Sequence, residues 1–196
     1  MSLLLTGYQS VNGQEINFGQ YGSAYEINVI LGTGDLEFNH QSGGPVISGS
    51  GQSSYTYTVD LAEAYAVEIK GIRYLDALVE IDGPDYLFLN GNEACSESTC
   101  RIPFTLQAAY SNVGEAQNSP AQAEIISLSG NYANVRFPVL QRQHEPPGLP
   151  PPPPTEAFNQ SLVEETAVLY LYGTIEVGDV DVGDYFSQIT ITVTYE

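Results

Sequence analysis

Two cysteines are the residues of this chain whose type and spacing point most directly to chemistry. Cys95 and Cys100 are the only cysteines and lie close together in Cys-Ser-Glu-Ser-Thr-Cys. An even number of cysteines at short spacing favours a disulfide across a tight loop. Such a bond forms in an oxidising compartment. Reduced thiols and a metal site are the alternatives. Zinc needs about four ligands, and the two histidines, His40 and His144, are distant in sequence.

The motifs that mark common catalytic sites are missing from the sequence. Ser48-Gly49-Ser50-Gly51 lacks the frame of a nucleophile elbow, and there is no phosphate loop, dinucleotide fingerprint or His-Glu-x-x-His. Asp179–Asp184 alternates Asp with Val like a calcium loop but lacks the EF-hand frame and its terminal Glu. We therefore predict a non-enzymatic protein with no catalytic residue, no metal ligand and no cofactor.

The charge of the chain excludes several classes of partner. The formal net charge is −19, from 24 acidic and only 5 basic residues among 196. The chain is acidic because Lys and Arg are scarce. A nucleic-acid binder needs a basic stripe that neutralises phosphates, and an anionic membrane surface needs a similar patch. Five basic residues are too few to form either surface, so we predict no nucleic-acid partner.

The composition predicts an all-β sandwich or barrel. Tyr occurs 14 times, Val, Ile and Thr are frequent, and 19 Gly and 12 Pro punctuate the chain at short intervals. No apolar run is long enough for a transmembrane span. The pattern predicts strands at 25–31, 36–38, 54–61, 66–72, 78–81, 86–89, 102–110, 123–128, 133–140, 167–177 and 189–195.

The last predicted strands carry the clearest patterns. In residues 189–195 every second residue is Thr. Side chains alternate between the two faces of a strand, so one face carries the remaining four residues, Ile189, Ile191, Val193 and Tyr195. The segment 167–177 is apolar on both faces, which is typical of an inner strand. The Gly-Pro turn at 82–85 predicts a hairpin between its flanking strands.

The proline-rich segment 145–155 is predicted to be a long stiff loop inside one domain. Five consecutive prolines, 150–154, favour polyproline II conformation. The residues that follow form too few strands to bury a core of their own. We therefore predict a single β-sandwich domain over residues 20–196, preceded by an N-terminal arm or first strand over residues 1–19.

The C-terminal segment resembles the closing strand of the spore coat protein U family, which includes archaic chaperone–usher pilins. Gly183, Tyr185 and Tyr195 match the family's Gly-x-Tyr, its short polar stretch and its alternating strand that ends on Tyr. The segment 34–38 is similar to the family's early Leu-x-Phe-Gly, although Asn39 replaces the Gly. The resemblance implies an immunoglobulin-like, pilin-like β-sandwich and, as partners, a periplasmic chaperone and an outer-membrane usher.

The resemblance also implies polymerisation by strand addition, in which the N-terminal arm of one subunit completes the sheet of the next. Leu4, Tyr8, Ile16 and Phe18 share one parity in the arm and are the expected donor-strand residues. The alternative is that the arm is the first strand of its own sheet. Both interpretations are carried forward.

The sequence thus favours a structural subunit of an extracellular, cell-surface filament that assembles with copies of itself. A phage virion surface protein, either a capsid decoration or a fibre component, is the first alternative. A secreted carbohydrate-binding or hydrolytic β-sandwich is the second. The absence of Trp, a common platform for sugars, weighs against that second alternative.

Overall fold

A computed structural model describes residues 2–5, 27–38, 54–73, 75–142 and 164–195, with only the backbone described at 2–5. These residues form thirteen β-strands and three short 3-10 turns, without any α-helix. The predicted all-β fold class is therefore confirmed. No helix in these ranges is long and apolar enough to cross a membrane. The strands are β1 Ser2–Leu5, β2 Asn28–Leu31, β3 Leu36–Glu37, β4 Tyr55–Val59, β5 Tyr65–Ile72, β6 Asp76–Asp82, β7 Tyr86–Leu89, β8 Arg101–Ser111, β9 Glu124–Ile126, β10 Tyr132–Pro138, β11 Glu164–Val177, β12 Tyr185–Phe186 and β13 Gln188–Tyr195.

The strands form two sheets that pack face to face as a curled sandwich. The five-stranded sheet has the order β10-β6-β13-β1-β3. The eight-stranded sheet has the order β12-β7-β8-β11-β5-β2, with β4 beside β11 and β9 beside β8. Val79 and Ile191 of the first sheet share one apolar core with Phe104 and Leu169 of the second. Burial of these facing side chains supplies the main driving force for the fold.

The longest strand, β11, is central to the eight-stranded sheet. It pairs with β8 along one edge and with β5 and then β4 along the other. Leu169 and Leu171 are fully buried, and Tyr170 and Tyr172 are buried on the opposite face. The prediction of an inner strand at 167–177 is confirmed. Because β11 follows residues 145–155 and pairs with strands that precede them, the chain returns to the same sheets. Residues 145–155 themselves lie outside the described ranges.

The C-terminal strand has the alternation that its sequence predicts. Ile189, Ile191 and Val193 are buried in the core, whereas Gln188 and Thr190 are exposed. β13 pairs antiparallel with β6 from Thr190 to Tyr195. One face of the strand therefore belongs to the core and the other faces solvent.

The predicted hairpin around residues 82–85 is wrong. β6 lies in the five-stranded sheet and β7 in the eight-stranded sheet, so the turn carries the chain from one sheet to the other. The N–H of Gly83 donates to the carbonyl of Asn131 at 2.9 Å instead of closing a hairpin. A Cβ at Gly83 would lie 2.8 Å from a methyl group of Leu106, so a larger residue would have to displace that side chain. The turn at 32–35 likewise links β2 and β3 in different sheets.

One edge of β8 is shared by two short strands that leave a gap between them. β7 pairs with residues 101–103, and β9 pairs with residues 108–110. The opposite edge is paired continuously with β11 over residues 104–111. Buried backbone groups must find hydrogen-bond partners, so the groups of β8 that face this gap need a substitute for a strand.

The side chain of Asn131 fills the gap. Its Oδ1 accepts from the N–H of Leu106 at 2.8 Å, and its Nδ2 donates to the carbonyl of Phe104 at 2.9 Å. Nδ2 also donates to the carbonyl of Pro84 at 2.6 Å. Asn131 is only 6 % exposed. A single amide therefore joins β8 to the β6–β7 crossing, a role that no local sequence pattern indicates.

We expect Asn131→Ala to destabilise the fold strongly. The change leaves buried backbone groups of Leu106 and Phe104 without partners, and each unsatisfied group costs about 1–3 kcal/mol. Urea denaturation should therefore give a loss of at least about 2 kcal/mol in the free energy of unfolding. Asn134→Ala, on the exposed face of β10, which begins directly after Asn131, is the matched control and should change stability little. Equal effects of the two substitutions would contradict the assigned role.

Candidate strand-pairing site

The N-terminal strand fills a slot between two strands that do not pair with each other. β1 runs parallel to β13, with Leu4 opposite Gln188, and antiparallel to β3, with Leu3 opposite Leu36. Among the described strands, β1 alone joins β3 to the rest of the five-stranded sheet. We call the space between β3 and β13 the strand slot. Its occupant in this structure is the chain's own N-terminal strand.

The edge of β13 that faces the slot is only partly used. β1 pairs with it at Gln188 and Ile189, while β6 covers the opposite edge from Thr190 to Tyr195. In the described ranges, no strand pairs with the slot side of β13 beyond Ile189. The backbone there can accept a longer strand, and such an edge is a template for pairing.

Tyr195 fastens the far end of β13 to the other sheet. Its hydroxyl oxygen accepts from the N–H of Ile72 at 2.8 Å. A Cβ at Gly71 would lie 2.6 Å from this hydroxyl, so a larger residue there would have to displace it. Burial raises the pKa of Tyr195; the bond from Ile72 opposes that effect and Glu164 adds to it. The neutral phenol is therefore the form that the folded protein favours.

The other wall of the slot is anchored in the core through aromatic packing. Leu36 of β3 and the adjacent Phe38 are both buried. The ring of Phe38 meets that of Phe104 edge to face, with centroids 5.8 Å apart. This contact joins the short β3 to β8 of the opposite sheet. Although β3 has only two residues, its position is therefore set by the core.

An acidic cleft of about 420 Å³ lies beside β3. Its lining includes Asp35, Glu37, Glu63 and Tyr65. The hydroxyl of Tyr65 donates to the carbonyl of Gly32 at 2.7 Å, and burial, aided by Asp35, raises its pKa. The carboxylates make this end of the slot unfavourable for anionic ligands.

The short strand β12, which leads into β13, rests against the disulfide loop. Cys95 and Cys100 are bonded, with their Cα atoms 6.4 Å apart, so the predicted disulfide is present. The hydroxyl of Tyr185 lies 2.9 Å from the carbonyl oxygen of Thr99, inside this loop. Sequence reasoning used Tyr185 only as part of a resemblance and assigned Thr99 no role. Their contact spans a long sequence separation, so only the fold reveals it.

The predicted assembly residues fall partly within the described ranges. The backbone of Leu4 lies in β1, whereas Tyr8, Ile16 and Phe18 lie outside the described residues. The predicted C-terminal face, comprising Ile189, Ile191, Val193 and Tyr195, lies in β13. The pairing of β1 with β13 within one chain corresponds to the alternative of a first strand. Donation to a neighbouring copy stays a prediction.

The titratable groups with clearly raised pKa values are tyrosines. Burial and the hydrogen bond to Glu124 raise the pKa of Tyr110 to about 12. Tyr110 stacks on Phe137, with centroids 4.1 Å apart, so its position is part of the contact between the sheets. In the ranges that the structure describes, no group of three or more His, Cys, Asp or Glu residues could hold a metal ion.

Comparisons with known proteins provide no relative for this chain. No family model matches it, and neither a curated protein nor a solved structure matches it significantly. Membership of the spore coat protein U family therefore stays a prediction. The function has to be argued from the geometry of the molecule itself.

We expect Tyr195→Phe to weaken the slot side of the molecule. At neutral pH the N–H of Ile72 loses its acceptor, which should cost about 1–2 kcal/mol of unfolding free energy. The raised pKa of Tyr195 contributes stability that is complete below the unfolded value of about 10 and is lost as pH rises through the folded value. Because Phe does not titrate, the variant should lose less stability than the unmodified protein as the pH rises above about 10.

The measurement is urea denaturation at neutral pH and at several values above it. Tyr132→Phe is the matched control because Tyr132 is 42 % exposed, so its hydroxyl should matter little at neutral pH. If Tyr195→Phe and Tyr132→Phe behave alike, the bond from Ile72 does not fasten the strand.

Proposed function

We propose that this protein is a non-enzymatic structural subunit of an extracellular filament, and that its copies assemble by β-strand addition. In the assembly, the N-terminal strand of one copy occupies the strand slot of the next. The observation that carries the proposal is the slot itself: the N-terminal strand lies between β3 and β13, which do not pair with each other. A strand that a long connection joins to the rest of the fold can be exchanged between copies with little change elsewhere.

The energetics of the slot favour an exchangeable strand. β1 makes only two residue pairs with β13 and two with β3. Each interaction made within one chain can be made equally by the same strand from a neighbour, because the donor is chemically identical. The part of the β13 edge with which no described strand pairs on this side offers further backbone hydrogen bonds to a longer donor. Strand addition of this kind obtains affinity from the main chain.

The connection to β1 is long enough for exchange. Twenty-two residues separate Leu5 from Asn28, the first residue of β2. Fully extended, such a segment spans up to about 70 Å, which exceeds the diameter of a domain of this size. The strand can therefore reach a neighbouring slot while the rest of its own sheets stays intact. An exchange that does not close on itself generates an open filament.

The basic residues already have partners within the molecule, which favours assembly through strand pairing over assembly through ion pairs. Arg136 and Arg142 both bind Asp76, with closest N···O distances of 2.7 Å and 2.5 Å. Arg73 contacts Glu165 at 3.4 Å. Lys70 pairs with Glu68, and Arg101 lies over the ring of Tyr86. All five bases of the chain are engaged internally, which leaves few cations for contacts between copies.

The disulfide supports an extracellular setting, because such bonds persist in oxidising compartments. There the chaperone and usher implied by the resemblance would hold the slot before a neighbour fills it. A virion surface component would share the fold but would be found on capsids. Electron microscopy of native material distinguishes a filament, a capsid and a monomer directly.

We expect deletion of residues 1–19 to abolish filaments, because the donor strand is lost while the slot remains. The measurement is negative-stain electron microscopy together with sedimentation of the purified protein. A synthetic peptide of residues 1–19 should bind the truncated protein and raise its melting temperature. The same peptide with Leu4→Pro should bind less well, because proline removes one backbone donor. Filaments formed by the truncated protein would contradict donor-strand exchange.

A second variant keeps the test decisive if the truncated protein does not fold. Leu4→Cys combined with Gln188→Cys places two cysteines at directly paired positions of β1 and β13. A bond between them holds the strand in its own slot. The oxidised double variant should fold but remain monomeric, whereas the single variant Gln188→Cys under the same conditions should assemble. Assembly of protein whose cross-link was formed within the monomer would exclude exchange of β1.

We expect assembly to increase with ionic strength. The net charge of −19 makes free subunits repel one another. Raising salt from about 0.01 M to about 0.15 M shortens the screening length from about 30 Å to about 8 Å. The critical concentration for filament formation should therefore fall across this range. An unchanged or rising critical concentration would show that repulsion does not limit assembly.

A further inference from the structure

The turn that precedes β13 is docked on the disulfide loop by several short hydrogen bonds. The N–H of Asp181 donates to the carbonyl of Thr99 at 2.7 Å. The hydroxyl of Tyr185 lies 2.9 Å from that same carbonyl oxygen and 2.8 Å from the carbonyl oxygen of Asp181. The N–H of Asn90 donates to the carbonyl of Asp184 at 2.7 Å. The turn is therefore fastened at both ends.

Close packing adds to this docking. A Cβ at Gly183 would lie 2.4 Å from the end of the Leu89 side chain of β7, so the turn packs closely on that side chain. Tyr185 is only 3 % exposed, and burial is the main cause of its raised pKa, with Asp181 adding to it. The phenol that reaches Thr99 is therefore a neutral hydrogen-bond donor. Val182, by contrast, is fully exposed at the tip of the turn.

The docked turn is joined directly to the strand slot. Tyr185 and Phe186 form β12, which pairs with β7 in the eight-stranded sheet. The hydroxyl of Ser187 donates to the carbonyl of Tyr86 at 2.7 Å. Gln188 then begins β13 in the other sheet and pairs with Leu4. Only three positions along the chain separate the hydroxyl that contacts the disulfide loop from the backbone that receives the added strand.

The disulfide fixes the carbonyl on which this docking depends. Thr99 lies in the 3-10 turn Ser98–Cys100, directly beside Cys100. The bridge to Cys95 closes the loop. With the bridge open, residues 95–100 gain conformational freedom, and holding the Thr99 carbonyl towards Tyr185 then costs entropy. Cys95 is half-buried and therefore accessible to a small reductant, whereas Cys100 is buried.

We infer that the Cys95–Cys100 loop is a redox-sensitive latch that holds the start of β13 in position for strand pairing, through Thr99 and Tyr185. The latch consists of residues 95–100 and 181–188. The oxidised form presents an ordered slot, and the reduced form loosens it. Tyr185 is a positioning residue because it acts on the slot through the backbone of β13. This inference rests on the proposed function for its biological meaning, but not for its test.

Opening the latch is a thiol–disulfide exchange. A thiolate of a small dithiol attacks one sulfur of the bridge and releases the other cysteine as a thiolate, which takes up a proton. The second thiol of the reagent then displaces the remaining cysteine from the mixed disulfide. The bridge gains two electrons and two protons overall, and the reagent becomes its cyclic disulfide. No other reactant is required.

The test is amide hydrogen exchange of the monomer, in low salt, before and after treatment with dithiothreitol. Reduction should accelerate exchange at residues 181–189 by roughly ten-fold or more. The amides that join β8 and β11 are the internal reference and should change by less than about two-fold. Unchanged exchange at 181–189 after complete reduction, verified by thiol titration, would overturn the inference.

Variants separate the latch from general destabilisation. Cys95→Ser with Cys100→Ser should reproduce the reduced pattern and should not respond further to dithiothreitol. If this pair does not fold, Tyr185→Phe keeps the bridge and removes the phenol hydroxyl that contacts the Thr99 carbonyl, while the N–H of Asp181 remains. That variant should accelerate exchange at 181–189 in the oxidised protein. Tyr110→Phe, which loses a hydroxyl contact with Glu124, should leave 181–189 unchanged, and an effect equal to that of Tyr185→Phe would contradict the inference.

The outcomes distinguish the latch from the proposed function. If the protein never forms filaments but reduction loosens 181–189, the latch stands and the filament proposal fails. If filaments form and reduction changes neither the exchange of 181–189 nor the assembly rate, the latch fails alone. Slower assembly of the reduced protein together with faster exchange at these residues supports both.

Discussion

The architecture of this protein depends on how backbone groups find partners where strands end and the chain changes sheets. A buried amide without a hydrogen-bond partner is costly, so every crossing needs other groups in place of the backbone hydrogen bonds that paired strands provide. At the gap along β8 the substitute is the side chain of Asn131, which bonds Leu106 and Phe104. At the β12–β13 crossing it is the hydroxyl of Ser187, which bonds Tyr86. These contacts fix the two sheets relative to each other.

The strand slot follows from the same constraint. β13 and β3 both need a partner on their facing edges, and β1 provides one for each. An edge that is satisfied by a terminal strand is satisfied equally well by an identical strand from another copy. That equivalence connects a requirement of folding to a mode of assembly. For the same reason, the position of the segment that leads into β13, which the latch is proposed to hold, would matter for the proposed assembly.

Acidic residues are in large excess over basic ones in this chain. Two arginines share one largely buried acceptor, Asp76, whose side chain is 11 % exposed. The remaining bases are also engaged, so acids dominate the outer surface. A surface of this kind makes separate molecules repel one another at low salt, while the core and the sheet ladders, which carry few charges, are left to hold the fold together.

The sequence by itself determined the all-β class, most strand positions and the face that β13 buries. These follow from local rules, because side chains alternate along a strand and Gly and Pro interrupt it. It also predicted the Cys95–Cys100 bridge, since the partners are close along the chain. Local patterns cannot say which strand pairs with which, and for that reason the hairpin expected at residues 82–85 proved to be a crossing.

Only the tertiary structure decided the contacts between residues that are distant in sequence. The bond of Asn131 to β8, the parallel pairing of β1 with β13 and the contact of Tyr185 with Thr99 are all of this kind. No periodicity records them, because each depends on where two separate segments meet after the core has formed. The disulfide loop contacts Tyr185, in the segment that leads into β13.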